Sequence, residues 1–365
     1  MRVFGNDDLP VDKNDLLTPC LLLDIDAVDR NIRKMAGFFA NRPCKLRPHV
    51  KTHKSPWIAH RQVRAGAVGI TCAKLEDARL FVEAGLDHVL IANEVVGARK
   101  IRELVGLAKL ADIIVCVDQY ENAVDLSEAA AQQGIRLKVL VEVDVGLGRC
   151  GVPSGQPAVD LVCRIGRLPG LFFQGLMGYE GGVFIDDEAE KRRIASERAN
   201  LLVRTKEAVE KSGFPVGIAS AGGSNTYQLT GRVPGITEVQ AGSYVTMDDW
   251  NRRYGIEFEQ AISVLSTVTS RPASDRLITD AGIKSLSTDH GFPRIKHEGL
   301  EWEAANEEHG RLRALNGSIS LQVGEKLEII PSHGCTTIPL FASYVAVSGG
   351  RVVGLLPIVS RGAVY

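Results

Sequence analysis

Leu46-Arg-Pro-His-Val-Lys-Thr-His-Lys54 joins a short apolar alternation to a cluster of basic side chains. Its alternate apolar residues would share one face of a strand, which leaves Arg47, His49 and Lys51 on the other face. In a barrel of parallel strands, chemistry collects at the carboxyl ends of the strands. A lysine there, desolvated or beside another cation, is a nucleophile that can hold a cofactor as a Schiff base. Lys51 is therefore the first candidate for covalent chemistry, and His53 is a neighbour that could relay its proton.

Short β-rich runs alternate with helix-period segments between residues 46 and 242. The eight predicted strands are Leu46–Val50, Val68–Ala73, Val89–Asn93, Ile113–Val117, Val139–Val145, Gly175–Tyr179, Gly217–Ala221 and Glu238–Ala241. Helix periodicity is clearest over Leu75–Ala84 and Ala189–Lys211. Eight such units predict an α/β fold, a parallel (β/α)8 TIM-type barrel. An open doubly wound sheet is disfavoured because the dinucleotide-binding glycine pattern is missing after the first strand.

After about residue 255 the sequence changes to alternating, β-branched runs separated by glycine. The predicted strands are Ser263–Ser270, Arg276–Ile278, Ile319–Val323, Leu327–Ile330, Tyr344–Val347 and Val352–Leu356. This pattern is typical of an antiparallel β domain. The early run Cys20–Asp24 could join either domain. We therefore predict a barrel over residues 25–250 and a β domain built from residues 1–24 and 251–365.

Composition excludes several classes of protein. The 365 residues carry a net charge of −1 with no long run of one sign, which argues against nucleic-acid and membrane binding. The segment Met1–Pro10 is acidic and lacks the apolar core of a signal peptide. Seven scattered cysteines without a Cys-x-x-Cys pair indicate reduced thiols and predict a cytoplasmic protein.

Two glycine-bearing turns follow the last two predicted barrel strands. They are Ser220-Ala-Gly-Gly-Ser-Asn-Thr226 and Gln240-Ala-Gly-Ser-Tyr244. Glycines let backbone amides approach a ligand closely, and barrels commonly bind phosphate after strands seven and eight. Either turn alone could simply require a positive φ. Together, at the expected places, they favour a phosphate site.

Two further clusters carry candidate ligands. In Glu142-Val-Asp-Val-Gly-Leu-Gly-Arg-Cys-Gly151, Arg149 could hold a phenolate or carboxylate oxygen, or form an ion pair with Asp144. In Pro331-Ser-His-Gly-Cys-Thr-Thr337, His333 and Cys335 would share one face of an extended segment. Imidazole and thiolate suit zinc. Two ligands do not complete a tetrahedral site, and they leave positions open for a substrate or water.

With these residues in place, the chain resembles the D-threonine aldolase and D-serine dehydratase group of pyridoxal-phosphate enzymes. That group is similar in fold to bacterial alanine racemase, with an N-terminal (β/α)8 barrel followed by a β domain. The motifs that carry the resemblance are Arg47–Lys54, Ile91–Gly97, Val141–Gly151, Met177-Gly-Tyr-Glu180, Val239–Tyr244, Asp280-Ala-Gly-Ile-Lys284 and Glu308-His-Gly310. They span nearly the whole chain.

The resemblance implies roles for individual residues. Lys51 would carry the cofactor and would form the catalytic set with His53 and Tyr179. Arg149 and Tyr179 would contact the cofactor ring. The residues implied for its phosphate are Gly223, Ser224, Asn225, Thr226, Gly242, Ser243 and Tyr244. His333 and Cys335 would bind a divalent zinc, manganese or magnesium ion.

The resemblance also implies an activity: a lyase acting on D-configured β-hydroxy-α-amino acids, most simply by retro-aldol cleavage to glycine and an aldehyde. Two features depart from the aldolase pattern. His333-Gly-Cys335 replaces the usual His-x-Asp and matches the dehydratases, and the turn after Ala221 lacks the Gly-Gly-Gly-Thr-Gly pattern common in the aldolases. A dehydratase acting on D-serine or 3-hydroxyaspartate is therefore the main alternative. A racemase using Tyr244 or Tyr254 as its second base and a non-catalytic cofactor carrier are others. A homodimer is expected by analogy.

Overall fold

The computed structural model describes residues 12–317 and 320–365. The predictions made for Met1–Pro10 and for Ile319 lie outside the described residues. Contacts divide the chain into two units. The β unit comprises the described parts of Met1–Arg33, Thr52–Ile58 and Ser243–Gly362, and the barrel unit comprises Lys34–Lys51, Ala59–Gly242 and Ala363–Tyr365.

The strands are β1 Cys20–Asp24, β2 Lys45–Leu46, β3 Ile70–Cys72, β4 His88–Glu94, β5 Asp112–Val117, β6 Leu137–Asp144, β7 Val152–Pro153, β8 Leu171–Gly178, β9 Ile218–Ala221, β10 Glu238–Val239, β11 Ile262–Ala273, β12 Arg276–Thr279, β13 Arg294–Ile295, β14 Leu300–Ala305, β15 Gly310–Ala314, β16 Lys326–Ile330, β17 Ser343–Ser348 and β18 Arg351–Pro357. The α-helices are α1 Ile25–Phe39, α2 Pro56–Arg64, α3 Leu75–Glu83, α4 Ala98–Leu107, α5 Tyr120–Gln132, α6 Gln156–Ile165, α7 Glu188–Lys211, α8 Tyr227–Thr230, α9 Asp249–Arg253 and α10 Gly334–Thr337. Short 3₁₀ helices occupy Lys13–Asp15, Ser243–Val245 and Ile338–Leu340.

Eight parallel strands of the barrel unit form one sheet in the order β2-β10-β9-β8-β6-β5-β4-β3. Backbone hydrogen bonds join the two ends of this order. The Val68 N–H donates to Leu46 O at 2.9 Å, and the Thr71 N–H donates to Pro48 O at 2.8 Å. The Val50 N–H in turn donates to Thr71 O at 2.9 Å. The sheet is therefore a closed barrel, and the predicted fold class is confirmed.

Each predicted barrel strand overlaps an observed strand. The first is shorter than predicted, because regular pairing in β2 ends at Leu46. Beyond it, the His49 N–H still donates to Ala241 O at 3.3 Å, so the chain stays extended along the barrel. Strands such as β5 are buried from Ile113 to Val117, as expected for strands covered on both faces. The two predicted helices are confirmed as α3 and α7.

The β unit contains a mainly antiparallel sheet in the order β14-β15-β12-β11-β1-β17-β18, with β16 paired to β11 and β13. Strand β1 pairs antiparallel with β11 and parallel with β17, which places Cys20–Asp24 in this sheet. One small buried cluster of the unit combines Leu22, Leu265, Val345 and Val352.

Two details of the predicted β domain were wrong. Residues 320–323 form a loop and turn rather than a strand. Strands β13, β14 and β15 were not predicted, although the alternation in Leu300-Glu-Trp-Glu303 and Arg311-Leu-Arg313 was their signal. Charged residues on one face masked that alternation. Across residues 12–317 and 320–365, no helix combines the length and the apolar character needed to cross a membrane.

Candidate active site

Lys51 lies in the turn that follows the first barrel strand, and its side chain is exposed. Its backbone N–H donates to Nδ1 of His49 at 3.3 Å. Its Nζ lies 6.0 Å from the centroid of the Tyr179 ring, which follows β8. Barrel closure thus brings together two candidates that are far apart in the sequence.

Arg149 reaches the same aromatic ring, with Cζ 5.8 Å from the centroid of Tyr179. Its guanidinium lies 3.9 Å from Oε1 of Glu142. Asp144 serves another purpose, because its Oδ1 accepts the amide N–H groups of residues 146–148 at 2.9 to 3.1 Å. The carboxylate nearest Arg149 is thus that of Glu142, and the ion pair considered between Arg149 and Asp144 does not form.

An acidic pair lies beside Arg149, in which Glu142 is buried and Glu94 is half-buried. Potential ligand atoms of Glu94, Glu142 and Cys150 lie within 4.8 Å of one another. Burial, followed by the charge and hydrogen bond of Glu94, raises the pKa of Glu142 to about 8, although Arg149 opposes the shift. The Glu142 carboxyl therefore keeps its proton near neutral pH. This pair was not predicted from the sequence, although both residues lie near strand ends within motifs quoted for the resemblance.

The turn after β9 is buried and depends on glycine. Gly222 adopts φ +79°, and a Cβ there would lie 3.0 Å from a methyl group of Val239. Ser224, Asn225 and Thr226 are at most 9% exposed. A Cβ on the neighbouring glycine, residue 223, would lie 3.4 Å from the Tyr179 ring. Within the barrel unit, the structure therefore places this turn beside the ring that Lys51 and Arg149 approach.

The second glycine turn begins at Gly242, also in the barrel unit. A Cβ at this position would lie 2.5 Å from the carbonyl oxygen of His49, so only glycine allows the two chain segments to approach so closely. Ser243 and Tyr244 belong to the β unit and start a 3₁₀ helix. Tyr244 is fully buried, and its ring centroid lies 5.2 Å from that of Phe258.

His53 is fully buried in the β unit. Its Nδ1 accepts the Ser55 N–H at 3.1 Å, and its carbonyl oxygen accepts the hydroxyl of Tyr344 at 2.7 Å. An accepting Nδ1 places the proton of the neutral ring on Nε2. These contacts give His53 a role in shaping the turn after Lys51, and its role in proton transfer stays a prediction.

His333 and Cys335 stand at the start of α10 in the β unit. Nδ1 of His333 lies 2.6 Å from Oδ2 of Asp289. Sγ of Cys335 lies 3.0 Å from Oγ1 of Thr52. Burial lowers the pKa of His333, but the hydrogen bonds and charges of Cys335 and Asp289 outweigh it and raise this pKa to about 9.

Two neighbours of this pair escaped sequence analysis. Potential ligand atoms of Asp289, His290 and His333 lie within 4.8 Å of one another. The ring of His290 packs edge-on against that of His333, with centroids 4.5 Å apart. The motif Asp280–Lys284 ends five residues before Asp289, so the sequence offered only proximity as a signal.

The donor set fits a divalent metal. A carboxylate on one ring nitrogen of a histidine is the usual arrangement behind a metal ligand, because it orients the ring and leaves the other nitrogen for the ion. Asp289 provides this carboxylate and leaves Nε2 of His333 as the donor. Nitrogen and sulfur donors suit zinc, and added carboxylate oxygen suits manganese or magnesium.

The chain matches two family profiles. Residues 23–249 match the alanine racemase N-terminal domain, and residues 261–347 match a putative serine dehydratase domain.

Several characterised proteins are similar over nearly their full length. A D-threonine aldolase from Arthrobacter sp is 38% identical, with 94% of this chain and 93% of the relative covered. A 3-hydroxy-D-aspartate aldolase from Paracoccus denitrificans is 34% identical, with 97% and 95% covered. The solved D-threonine aldolase from Filomicrobium marinum superposes with a TM-score of 0.95 at 37% identity, covering 99% of this chain and 100% of that one.

A dehydratase is also similar. The solved D-threo-3-hydroxyaspartate dehydratase from Delftia sp. superposes with a TM-score of 0.88 at 29% identity, covering 95% of this chain and 99% of that one. Solved variants of a D-threo-3-hydroxyaspartate dehydratase include one in which a histidine is replaced by alanine and one, in a metal-free form, in which a cysteine is replaced by alanine.

Proposed function

We propose that this chain, which belongs to the alanine racemase N-terminal domain family, is a pyridoxal-phosphate-dependent lyase that cleaves D-configured β-hydroxy-α-amino acids by retro-aldol reaction. The observation that carries this proposal is the full-length similarity to two aldolases acting on such substrates. The geometry of the barrel unit supports it, because one ring, that of Tyr179, has Lys51, Arg149 and a glycine turn around it.

The barrel residues have complementary tasks in this proposal. Nζ of Lys51 is the nucleophile that would hold the cofactor aldehyde. Arg149 supplies a positive charge that does not titrate near neutral pH. The two glycine turns would hold the phosphate. When bound, pyridoxal phosphate supplies an electron-withdrawing ring that accepts the electron pair of the bond that breaks.

The β unit would contribute the metal. We propose that His333 and Cys335 bind a divalent ion, with Asp289 orienting the imidazole of His333 from behind. Such an ion would lower the pKa of the substrate's β-hydroxyl group and so favour cleavage of the Cα–Cβ bond. The hydrogen bond between Asp289 and His333 supports this assignment.

The bond that breaks can be read from the products. Incubation with D-threonine, D-serine and 3-hydroxy-D-aspartate, with divalent metal and pyridoxal phosphate present, should yield glycine with acetaldehyde, formaldehyde or glyoxylate. The corresponding L-amino acids serve as controls. Formation of keto acid and ammonia, with no glycine, would contradict the aldolase proposal.

A dehydratase is the second candidate. The observation that favours it is the His333-x-Cys335 pair, since a similar dehydratase has been solved with a histidine or a cysteine replaced, the cysteine variant being metal-free. Lys51 would then remove the α-proton of the substrate, and hydroxide would leave from the β-carbon. The product assay separates the two candidates directly.

A racemase is less well supported. Tyr244, one of the two tyrosines considered as its second base, is fully buried against Phe258. Treatment with EDTA gives a test: the metal-dependent lyase should lose activity and regain it on adding metal. Full activity after EDTA treatment, with D- and L-amino acids interconverted, would favour the racemase.

We also propose that the protein is a homodimer in the cytoplasm, where its seven cysteines would stay reduced. Sedimentation equilibrium would test the oligomeric state. A single species with the 39.5 kDa mass of one chain would contradict the dimer.

A further inference from the structure

Glu180 is a buried carboxylate to which the proposed function assigns no task. It directly follows Tyr179 at the end of β8 and is only 1% exposed. Its Oε2 accepts the Gly222 N–H at 2.8 Å. Its Oε1 accepts the hydroxyl groups of Thr226 and Thr230 at 2.7 and 2.6 Å. Three donors from the glycine turn and the helix after it thus converge on one side chain.

These contacts change the role expected of Thr226. A hydroxyl group has one hydrogen to donate, and Thr226 donates it to Glu180. Its oxygen also accepts the Gly223 N–H at 3.1 Å. The amide of Gly222 is likewise directed at Glu180. These groups therefore hold the turn together, and the donors that face a phosphate have to come from other parts of it.

Burial of this carboxylate needs a compensating gain. Removing a charge from water is costly unless it is fully hydrogen-bonded, and an apolar side chain would often be at least as stable in its place. A fully satisfied buried network instead specifies one local conformation. The turn needs such a restraint, because Gly222 sits in a conformation, φ +79°, that the flexible chain does not hold by itself.

We propose that Glu180 is the positioning residue of the phosphate-binding turn. It fixes the main chain from Gly222 to Thr226 so that the remaining donors are arranged for a phosphate dianion. Because Tyr179 precedes it, the same chain segment sets the ring contact and the phosphate contact. This inference rests on the proposed cofactor, and it adds a residue that acts through the turn on the binding of the cofactor's phosphate.

The test compares pyridoxal phosphate with pyridoxal, which lacks the phosphate but keeps the aldehyde and ring. Apoprotein of the wild type and of Glu180→Ala is titrated with each compound, and binding is followed by the visible absorption of the bound chromophore. The variant should bind pyridoxal phosphate about tenfold or more weakly, the effect of losing a buried acceptor shared by several donors. Its affinity for pyridoxal should stay within about threefold of the wild-type value.

Two further variants keep the test informative if Glu180→Ala does not fold. Glu180→Gln keeps the shape and one acceptor oxygen, and Thr230→Val removes one of the three donors. Both should weaken pyridoxal phosphate selectively, by less than Glu180→Ala. Thr205→Val is the matched control: Thr205 is a buried threonine of the same unit whose hydroxyl donates to Leu201 O at 2.9 Å, away from the turn.

The outcomes are distinct. The inference is supported if the Glu180 and Thr230 variants lose affinity selectively for pyridoxal phosphate. In the control, the ratio of the affinities for pyridoxal phosphate and pyridoxal should equal the wild-type ratio. Equal loss for both compounds, or no loss, overturns it and leaves the proposed function standing. A wild-type protein that binds neither compound overturns the proposed function, and this inference with it.

Discussion

At the scale of single residues, the chemistry of this chain depends on what surrounds each side chain. Lys51 and Arg149 both approach the ring of Tyr179, at 6.0 and 5.8 Å from its centroid. In the β unit, His333 has a carboxylate on Nδ1 and Cys335 nearby. The residue types and their spacing pointed to these side chains. The partner of His333, Asp289, had no local signal, because the two residues are 44 positions apart in the sequence.

Lys51→Ala removes the proposed anchor of the cofactor. The variant should fold and should lose the visible absorption of the covalently held chromophore, because Lys51 is exposed and its removal leaves no cavity. Absorption spectra after dialysis against pyridoxal phosphate measure this. Lys54→Ala, three residues later, is the control. A Lys51→Ala protein that keeps the wild-type spectrum would show that the anchor lies elsewhere.

Cys335→Asp replaces a soft sulfur donor with a hard oxygen donor. The variant should lose about 10- to 100-fold in zinc affinity while its preference moves toward manganese or magnesium, as ligand softness dictates. The metal content after dialysis against equimolar zinc and manganese gives the ratio of bound zinc to bound manganese. Cys163→Asp, a thiol of α6 in the other unit, is the control. An unchanged ratio would mean that Cys335 is not a ligand.

At the scale of elements, the turns matter more than the strands. The short β-rich runs between helix-period segments were sufficient to predict all eight barrel strands, because strands covered on both faces are continuously apolar. The two glycine turns were also predicted. The contacts that fix each turn were not predicted, because both involve residues far away in the sequence. Glu180 contacts the first turn and His49 contacts the second.

Gly242→Ala tests the close approach between the second turn and the segment before Lys51. An added Cβ would lie 2.5 Å from His49 O, so the backbone would have to shift at a cost of about 1–3 kcal/mol. The free energy of unfolding in urea measures this. Gly106→Ala is the control, because a Cβ in that helix meets nothing within 4 Å and should be neutral or stabilising by up to ~1 kcal/mol. Equal stability of Gly242→Ala and wild type would contradict the packing argument.

At the scale of the whole molecule, the chain divides into a barrel unit and a β unit that each carry one part of the candidate chemistry. The change near residue 255 from helix-period segments to alternating, β-branched runs indicated this division. The structure adds that short segments from early in the chain, including Thr52–Ile58, are counted with the β unit. No periodicity could show this, because the assignment of a short segment depends on its tertiary contacts.

The buried carboxyl of Glu142 should make stability depend on pH. The pKa of Glu142 is raised in the folded protein from 4.5 to about 8, so the folded state holds the proton more tightly than the unfolded state. Its contribution to stability is therefore fully present below about pH 4.5 and is lost as pH rises to about 8. Burial is the largest cause of the raised pKa of Glu142; Glu94 and Asp118 raise this pKa further, and Arg149 lowers it.

Glu142→Gln should flatten that part of the profile, because the amide cannot titrate. Urea unfolding of both proteins from pH 5 to 8 measures the difference, and the variant should lose less stability over this range. Glu128→Gln, at an exposed position of α5, is the control and should follow the wild type. Parallel profiles for Glu142→Gln and wild type would show that Glu142 does not keep its proton in the folded protein over this range.

From the amino-acid sequence alone, periodicity was enough to predict the barrel and the β domain, and the family resemblance implied the residues proposed for catalysis. Those signals are local, since burial repeats every two residues in a strand and about every 3.6 in a helix. Barrel closure, the approach of Arg149 to Tyr179, the partner of His333 and the three donors on Glu180 arise from contacts between separate segments. Such contacts depend on how strands align around the barrel and sheet, and only the folded chain reveals that alignment.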